Sequence, residues 1–314
     1  MKKYLFGPVP SRRFGWSLGV DLLPYKTCSF DCVFCQLGRT TKKTITRKEY
    51  VPTDAVISEL AQWLEEGNKA DYITLSGSGE PTLHCHFGRV IEFVRNHSSI
   101  PTVLLTNGSM LGLQEVQEAA SLANIVKVSL SAWDQASYAW INRPHPSLRF
   151  RDLVKAQKSF RIRFKGQLWL EVVLIAGMNS TPADVKRIAA LAEEIEPDRI
   201  HLNTVVRPPA EEFATPLSEE YLHSLCHLFH PIAEVIAEFK ADKESEIRIN
   251  EEAILGILRR RPCTAEQLAR IFNMHPNEVA KYLGSLLRTG QIFQKRKDHT
   301  VYYGAIDGSS LACN

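Results

Sequence analysis

No stretch of the 314-residue sequence approaches the roughly 20 consecutive apolar residues that a membrane-spanning helix requires. The opening segment, Met1 to Pro8, also has no apolar core of the kind found in secretion signals. Neither sign of charge dominates, since 38 Lys and Arg face 35 Asp and Glu. A hydrophobic content of 44% excludes a disordered chain or a fibre. We therefore expect a globular cytoplasmic protein that does not use a membrane.

The seven cysteines do not form a disulfide framework, because their number is odd and their spacing is uneven. Three of them, Cys28, Cys32 and Cys35, fall within eight residues, and the rest are scattered. In a reducing compartment, a tight group of thiols indicates a metal site rather than bridges. Free cysteine also behaves as a small buried hydrophobe. We expect that structural role for the four scattered residues, Cys85, Cys226, Cys263 and Cys313.

Positive charge is concentrated at the amino-terminal end. Up to Lys48 the sequence has ten Lys or Arg and two acids, Asp21 and Asp31. Charges in such a segment are often only solvated, but the cysteine group lies inside this one. The segment therefore favours an anionic partner, which would be a phosphate-bearing substrate, RNA or an anionic redox protein.

Short apolar runs alternate with helical patterns between residues 55 and 203. The predicted helices are Ala55 to Glu66, Phe87 to Asn96, Leu113 to Ala123, Phe150 to Phe160 and Ala183 to Ile195. The predicted strands are Tyr72 to Leu75, Thr102 to Leu105, Ile125 to Leu130, Leu168 to Ile175 and Arg199 to Asn203. Strands separated by helices predict an α/β fold with a parallel sheet, a barrel or partial barrel over residues 1–240.

Ligands of such folds bind beyond the carboxyl ends of the strands. The polar residues at these ends are the expected lining of a site: Ser76 to Glu80, Asn107, Ser129, Ser131, Asn179 and Asn203. The same residues could instead cap helices or bond to neighbouring strands.

The composition changes after Phe239, where charge replaces apolar periodicity, and we place a linker at 241–249. Three predicted helices follow, from Glu251, from Thr264 and from Pro276, and then two strands joined by Arg296 to His299. This order predicts a small winged helix at 250–306 with a tail at 307–314. Its third helix has a mixed rather than strongly basic surface, so nucleic-acid contact and a lid, dimer or docking role both remain open.

The cysteine group has the form C-x-x-x-C-x-Φ-C, in which Φ is aromatic. Three thiolates can bind three irons of a 4Fe-4S cluster and leave the fourth iron open to a molecule that carries an amine and a carboxylate. Zinc is the alternative, but zinc sites usually have four protein ligands. His84, Cys85 and His86 suggest an auxiliary metal at most, and we interpret His223, His227 and His230 as a polar helix face.

This cysteine motif resembles that of the radical S-adenosylmethionine (SAM) enzymes. Their fold is a partial (β/α)6 barrel, and the resemblance implies a 4Fe-4S cluster on Cys28, Cys32 and Cys35. It further implies that SAM completes the cluster and is cleaved reductively to a 5′-deoxyadenosyl radical, which abstracts hydrogen from the substrate. By the same resemblance an electron donor such as flavodoxin or ferredoxin is required. The residues similar to the family's cofactor site are Phe34, Ser78, Gly79, Glu80, Asn107, Ser129, Ser131, Gly177 and Asn179.

Several other segments resemble the branch related to the wybutosine-synthesis enzymes of tRNA: Gly7 to Arg13, Tyr25 to Cys28, Cys35 to Arg39, Ile141 to Pro144 and Asn203 to Pro209. The sequence departs from those enzymes because it has no second cysteine trio, and Ser131 stands where an acid is expected. Substrate contacts are expected from Arg12, Arg13, Lys26, Arg39, Arg143, Asn203 and Arg207. The arginines and the lysine among them could also be ion-pair partners within the fold.

Three functions follow from these observations. The first is radical modification of an anionic substrate such as RNA, and the second is the same chemistry on a small metabolite or a peptide. The third is an iron-sulfur regulator that binds DNA through the winged helix.

Overall fold

The computed structural model describes residues 3–11, 14–236, 251–272, 274–297 and 300–306. Arg12, Arg13, the predicted linker at 241–249 and the predicted tail lie outside these residues. The strands are β1 (Leu5–Ser11), β2 (Gly15–Val20), β3 (Thr27–Cys28), β4 (Lys42–Lys43), β5 (Tyr72–Leu75), β6 (Thr102–Leu105), β7 (Ile125–Ser129), β8 (Gln167–Val173), β9 (Arg199–Asn203), β10 (Glu234–Val235), β11 (Ile292–Lys297) and β12 (Thr300–Ala305). The helices are α1 (Thr53–Glu65), α2 (Phe87–His97), α3 (Gln114–Ala120), α4 (Gln135–Ile141), α5 (Phe150–Arg163), α6 (Pro182–Ile195), α7 (Glu219–Leu225), α8 (Glu251–Leu258), α9 (Ala265–Phe272) and α10 (Pro276–Arg288).

One sheet organises the chain up to residue 236. Its strand order is β1-β2-β5-β6-β7-β8-β9-β10, and every neighbouring pair from β2 to β10 is parallel. The edge strand β1 runs antiparallel to β2. Helices connect most of the parallel strands, as parallel pairing requires. The carboxyl ends of the strands therefore meet along one edge of the sheet.

Side chains alternate between the two faces of this sheet, as the two-residue period of a strand dictates. Val126 and Val128 belong to the large core that the sheet forms with its helices. Ile125 points to the opposite face and packs with Phe14, Val103 and Trp169. The rings of Phe14 and Trp169 stack with centroids 5.1 Å apart. This apolar layer covers the face of the sheet turned away from the large core, at the end opposite the strands' carboxyl ends.

The carboxyl-terminal segment, which we call the C-terminal module (residues 251–306), has its own apolar core. Buried residues from all three helices and from β11 form this core, and Val9 of β1 joins it. Strands β11 and β12 pair in antiparallel register, with Lys297 opposite Thr300. The module therefore packs directly against the edge strand of the main sheet.

The predicted strands and helices between residues 55 and 203 are confirmed, with shifted ends. Strand β8 stops at Val173 instead of Ile175, because the Asn179 side chain accepts the N–H of Ile175 at 2.7 Å and donates to the Val173 carbonyl at 2.9 Å. In the module, β11 continues to Lys297 through part of the predicted turn.

The predicted histidine face is wrong, because α7 ends at Leu225. His227 lies in the 3-10 helix that follows, and His230 precedes a proline outside both helices. Among the described residues, no helix has the length and hydropathy needed to cross a membrane.

Candidate cluster and cofactor site

The three motif cysteines lie at the carboxyl-end edge of the sheet. Cys28 is in the short strand β3, which pairs with β4 so that Cys28 is the register partner of Lys43. A bridge between Thr27 and Gly79 ties β3 to the turn after β5. Cys32 and Cys35 follow in a loop whose residue Val33 donates its N–H to the Ile141 carbonyl at 3.0 Å. The loop is thus held between the turn after β5 and the end of α4.

Each of the three sulfur atoms receives an N–H donor from a different side chain. Asn107 Nδ2 lies 3.6 Å from Cys28 Sγ, and Asn142 Nδ2 lies 3.5 Å from Cys32 Sγ. Lys26 Nζ lies 3.4 Å from Cys35 Sγ and also donates to the Gly38 carbonyl. Such donors favour thiolates over thiols, and hydrogen bonds to the sulfurs of an iron-sulfur cluster tune its reduction potential.

Burial opposes the thiolate form. It raises the pKa of the Cys28 thiol to about 12, and the charge of Glu80 adds to the effect. Burial also raises the pKa of Cys32, and the neighbouring cysteines act in the same direction. Deprotonated sulfur at these positions therefore requires a cation to bind.

Tyr138 gives a further test of whether a cluster fits. This side chain is 1% exposed, and its hydroxyl has no hydrogen-bond partner among the described residues. Burial raises its pKa, and the charges of Cys32 and Cys28 raise it further, which places the phenol beside those sulfurs. A buried hydroxyl without a partner is costly. The residues present thus suit a thiolate-bound iron-sulfur group, which would supply acceptors for this donor.

Glu80 is buried in the turn that follows β5. One carboxylate oxygen accepts hydrogen bonds from Thr82 N at 3.0 Å and Thr106 Oγ1 at 2.6 Å. The other accepts from the N–H of Asn107 at 2.6 Å. Burial raises the pKa of Glu80, and these hydrogen bonds partly counteract the effect. The carboxylate is thereby fixed between the ends of β5 and β6, where it can accept from an ammonium group.

Gly79 allows the turn that carries Glu80 to contact β3, which carries Cys28 and which we call the cysteine strand. A Cβ at this position would lie 1.7 Å from the carbonyl oxygen of Thr27. The N–H of Glu80 donates to the same carbonyl at 3.2 Å. Any larger residue would therefore separate the turn from Cys28, and glycine is required for steric reasons.

The predicted residues at the ends of β7 and β8 bond chiefly to each other and to nearby backbone. Asn179 is fully buried and donates to the Ser131 carbonyl at 2.8 Å. The hydroxyl of Ser131 accepts the N–H of Val173 at 3.0 Å. Gly177 donates its N–H to Ser180 at 3.3 Å, and the carbonyl of Ser129 accepts from Gln157 at 3.2 Å. These contacts shape the edge of the site.

An apolar surface lies on the far side of the cysteine loop. Phe34 is half-buried there against a cluster of buried side chains: Val33, Ile141, Val173, Ile175, Met178, Val205 and Ala214. Phe34 is the partly exposed member of this group, and its ring is therefore the part that a flat, apolar ligand could contact. Phe34, Gly177 and Asn179 are among the residues similar to the family's cofactor site, and this arrangement is compatible with that role.

The predicted substrate-binding cations differ in their surroundings. Lys26 is 2% exposed and bonds to the cysteine loop. Arg39 and Arg143 both pair with the buried carboxylate of Glu211, Arg39 at 2.9 Å. Hydrogen bonds from Arg39 and Arg143 hold the pKa of Glu211 below its ordinary value. Arg207 donates to Gln36 in the cysteine loop at 3.0 Å. These cations therefore also organise the rim of the site.

Asn203 is the last residue of β9, and its side chain donates to Glu171 at 3.2 Å. Glu171 on β8 forms an ion pair with Lys127 on β7, and both side chains are largely buried. The sequence does not predict the pair of Lys127 and Glu171, because lysine and glutamate usually occupy exposed positions.

His84 does not form an auxiliary metal site with His86. Both nitrogens of the fully buried His84 ring bond to backbone, one to the Val51 carbonyl at 2.9 Å and the other to the His86 N–H at 3.2 Å. Among the described residues, no group of three His, Cys, Asp or Glu is arranged around a single metal ion.

Sequence reasoning also missed Asn142, Tyr138 and Asp21 as parts of the site. Asn142 lay within a segment noted for its resemblance, but nothing local links it to Cys32, 110 residues earlier. Asp21, directly after β2, accepts from the Ser78 hydroxyl at 2.6 Å. Its place at the end of a parallel strand is the signal that could have identified it.

A parallel α/β sheet with three cysteines at its carboxyl-end edge defines the class of protein. Residues 22–192, more than half of the chain, match the profile of the radical SAM superfamily. The chain is also 30% identical, over 95% of its length and 94% of the relative's, to the UPF0026 protein MJ1312 of Methanocaldococcus jannaschii. It therefore belongs to the radical SAM superfamily and, within it, groups with the UPF0026 proteins.

Other relatives match over shorter parts of their own sequences. The chain is 34% identical, over 92% of its length, to a Brachyspira hyodysenteriae protein named GTPase Obg, of which it spans only 43%. A probable dual-specificity RNA methyltransferase RlmN of Thermotoga is 25% identical over 74% of this chain and 66% of its own. Among solved structures, a radical SAM methyltransferase from Sphaerobacter thermophilus has a similar fold, with a TM-score of 0.51, 19% identity and coverage of 70% of this chain and 65% of that one.

Proposed function

We propose that this protein is an enzyme that binds a 4Fe-4S cluster through Cys28, Cys32 and Cys35 and uses SAM to start radical chemistry on an anionic substrate, with RNA as the favoured class. The observation that carries the proposal is the set of three sulfurs, each with its own N–H donor, beside the buried Glu80. When both are bound, the cluster would supply one electron to the sulfonium of SAM, and cleavage of a carbon-sulfur bond would give methionine and a 5′-deoxyadenosyl radical.

The chain's own residues bind and orient this pair. Glu80 would accept a hydrogen bond from the methionyl ammonium, because the carboxylate is already fixed by its bonds to Thr82, Thr106 and Asn107. Phe34 and the apolar cluster behind it would cover the adenine and exclude water. Holding the reacting groups in one geometry is the protein's main contribution to such chemistry.

Anaerobic reconstitution with iron and sulfide, followed by dithionite and SAM, tests this activity. We expect 5′-deoxyadenosine and methionine from the native protein and none from Cys32→Ala. Cys85→Ala is the matched control, because Cys85, like Cys32, is a partly buried free cysteine but lies outside the motif. A protein that binds only zinc, or equal product from Cys32→Ala, would refute the assignment.

The substrate class is supported by exposed cations beside the cysteine strand. Lys42 and Lys43 form β4, both are exposed, and Lys43 is the register partner of Cys28. Lys42 and Lys48 both lie over the Tyr50 ring, at 5.9 and 5.1 Å from its centroid. These cations suit a phosphate backbone, and the distant RlmN relatives are RNA methyltransferases by name.

RNA binding is tested by titrating labelled RNA at several salt concentrations. Each lost contact to a single-stranded phosphate should reduce the slope of log affinity against log salt by about 0.7. We expect Lys42→Gln with Lys43→Gln to weaken binding and lower the slope. Lys155→Gln with Lys186→Gln, which removes two exposed lysines on α5 and α6, should change neither. Equal effects of the two double variants would favour the metabolite or peptide alternative.

The finer organisation belongs to the same proposal. We assign residues 1–240 to a partial (β/α)6 barrel, 241–249 to a linker and 250–306 to a winged helix, supported by the parallel sheet and by α8 to α10 with β11 and β12.

The exposed cations would also attract an acidic electron donor such as flavodoxin or ferredoxin. Three thiols that must stay reduced favour a cytoplasmic location. The wybutosine-related branch remains a proposal that rests on the motifs quoted above.

A further inference from the structure

Asp21 stands between the SAM turn, Ser78 to Glu80, and the C-terminal module. It follows β2 and is 5% exposed. One of its carboxylate oxygens accepts the N–H of Ser78 at 3.1 Å, and the other accepts the Ser78 hydroxyl at 2.6 Å. A Cβ on the preceding Gly77 would lie 2.5 Å from the Asp21 carboxyl carbon. The carboxylate therefore fills the space beside the turn and fixes Ser78.

The same carboxylate is held from the other side by Arg260, just after α8 of the module. Arg260 Nε lies 2.9 Å from the oxygen that also accepts the Ser78 hydroxyl, and the two side chains are 10% and 5% exposed. The remaining guanidinium nitrogens donate to the carbonyls of Gly256 at 2.9 Å and Lys3 at 3.1 Å. The guanidinium also lies over the Phe6 ring at 4.8 Å. Its position is thus fixed on every side.

The opposite side of the SAM turn bonds to the cysteine strand. The Ser78 carbonyl accepts the N–H of Lys26 at 2.8 Å, and Gly79 bridges to Thr27. Ser78 is therefore held between Asp21 and the strand that carries Cys28. Displacing Asp21 would release one of the two anchors of the turn.

A second contact links the module to the other wall of the site. Lys297 at the end of β11 donates to the Val205 carbonyl at 2.7 Å, and the Tyr302 hydroxyl donates to the Val206 carbonyl at 3.2 Å. The Val205 side chain belongs to the apolar cluster behind Phe34. The module's hairpin thus bonds to the barrel instead of being extended into solvent, which favours docking over direct groove contact for this element.

We propose that Arg260 is a positioning residue for SAM, and that the C-terminal module sets the affinity of the cofactor site through Arg260, Asp21 and Ser78. This inference rests on the proposed function, because it assumes that the Ser78 to Glu80 turn binds SAM. The positive charge of Arg260 pairs with Asp21 and holds the Asp21 carboxylate in the position where it also accepts from Ser78. Without it, the buried carboxylate would be left partly uncompensated and would have to move towards water.

The test is the dissociation constant of SAM for the cluster-loaded, unreduced protein, measured by anaerobic equilibrium dialysis. We expect Arg260→Gln to raise it by about tenfold to a hundredfold, the range for residues that orient binding groups. Arg260→Lys keeps a cation near Asp21 and should restore part of the affinity. Arg259→Gln is the matched control, because Arg259 carries the same charge in the adjacent position but is exposed. It should bind SAM like the native protein.

A double-mutant cycle separates positioning from general destabilisation. Ser78→Ala removes the hydroxyl that Asp21 accepts, so its effect on SAM affinity should be smaller in the Arg260→Gln background than alone. Additive effects, or an unchanged dissociation constant in Arg260→Gln, would overturn the inference. If Arg260→Gln fails to fold, Arg260→Lys replaces it in the cycle. Iron and sulfide content is measured throughout, so that a native protein without a cluster or without SAM binding would refute the proposed function rather than the role of Arg260.

Discussion

Replacing Gly79 with alanine is the sharpest perturbation of the site, because it adds one methyl group where the SAM turn meets the cysteine strand. The added Cβ would lie 1.7 Å from the Thr27 carbonyl oxygen, half of the 3.4 Å at which ordinary contact begins. Backbone cannot give way as a flexible side chain does, so the turn and β3 must separate. The bridge between Thr27 and Gly79 and the bond from Glu80 N to Thr27 would be lost.

Forcing a methyl group into a packed position costs typically about 1 to 3 kcal/mol of stability. Moving reacting groups by about 1 Å can cost a hundredfold in rate. We therefore expect Gly79→Ala to fold with lowered stability and to form 5′-deoxyadenosine at least about a hundredfold more slowly than the native protein. Denaturant unfolding and product analysis after reduction measure the two effects.

Gly112→Ala is the matched control for this prediction. A Cβ at Gly112 would meet nothing within 4 Å, so this variant should have native stability and activity. If Gly79→Ala bound SAM and produced 5′-deoxyadenosine at the native rate, the close contact between the turn and the cysteine strand would have no role in the site.

Three further perturbations test other contacts. Asn142→Leu removes the donor to Cys32 and should lower the midpoint potential of the cluster in an anaerobic redox titration followed by electron paramagnetic resonance. Lys127→Met leaves Glu171 buried without its cation and should destabilise the fold by about 3 to 5 kcal/mol in denaturant unfolding. Glu211→Gln should lower stability at pH 7, and its difference from the native protein should shrink as the pH falls below the ordinary value of 4.5 and vanish once the pH is below the lowered pKa of Glu211, because Arg39 and Arg143 stabilise only the ionised carboxylate.

Each of these expectations has an outcome that contradicts it. An unchanged potential in Asn142→Leu would mean that its amide does not bond to the cluster sulfur. Native stability of Lys127→Met would show that water can replace Lys127 as the partner of Glu171. A stability difference for Glu211→Gln that persisted at low pH would assign the effect to packing rather than to the charges of Arg39 and Arg143.

The candidate site was predictable where it depends on neighbours in sequence. Cys28, Cys32 and Cys35 occur within eight residues, and the Ser78 to Pro81 turn directly follows a short apolar strand. The order of strands and helices between residues 55 and 203 is equally local, because each element carries its own periodicity. The parallel sheet then brings the strand ends together without further information.

The contacts that complete the site could not be predicted, because they join residues far apart in sequence. Asp21 and Arg260 are 239 positions apart, and each alone is an ordinary charged residue beside apolar ones. Lys26 belonged to a basic segment that favoured contact with an anionic partner, yet its side chain is buried against the cysteine loop. It also adopts a positive φ of 58°, which is rare for a residue with a side chain. Burial of single charges depends on tertiary partners that no local pattern specifies.

The three N–H donors to the cysteine sulfurs come from positions 26, 107 and 142, so their arrangement would affect how the proposed iron centre is assembled. A nascent chain that ends before α4 has the three thiols but not the amide that accompanies Cys32. Iron delivered at that stage would meet an incomplete set of partners, whereas iron delivered after α4 has packed would meet all three. Metallation of this protein should therefore follow folding of its first 142 residues and stabilise that folded state.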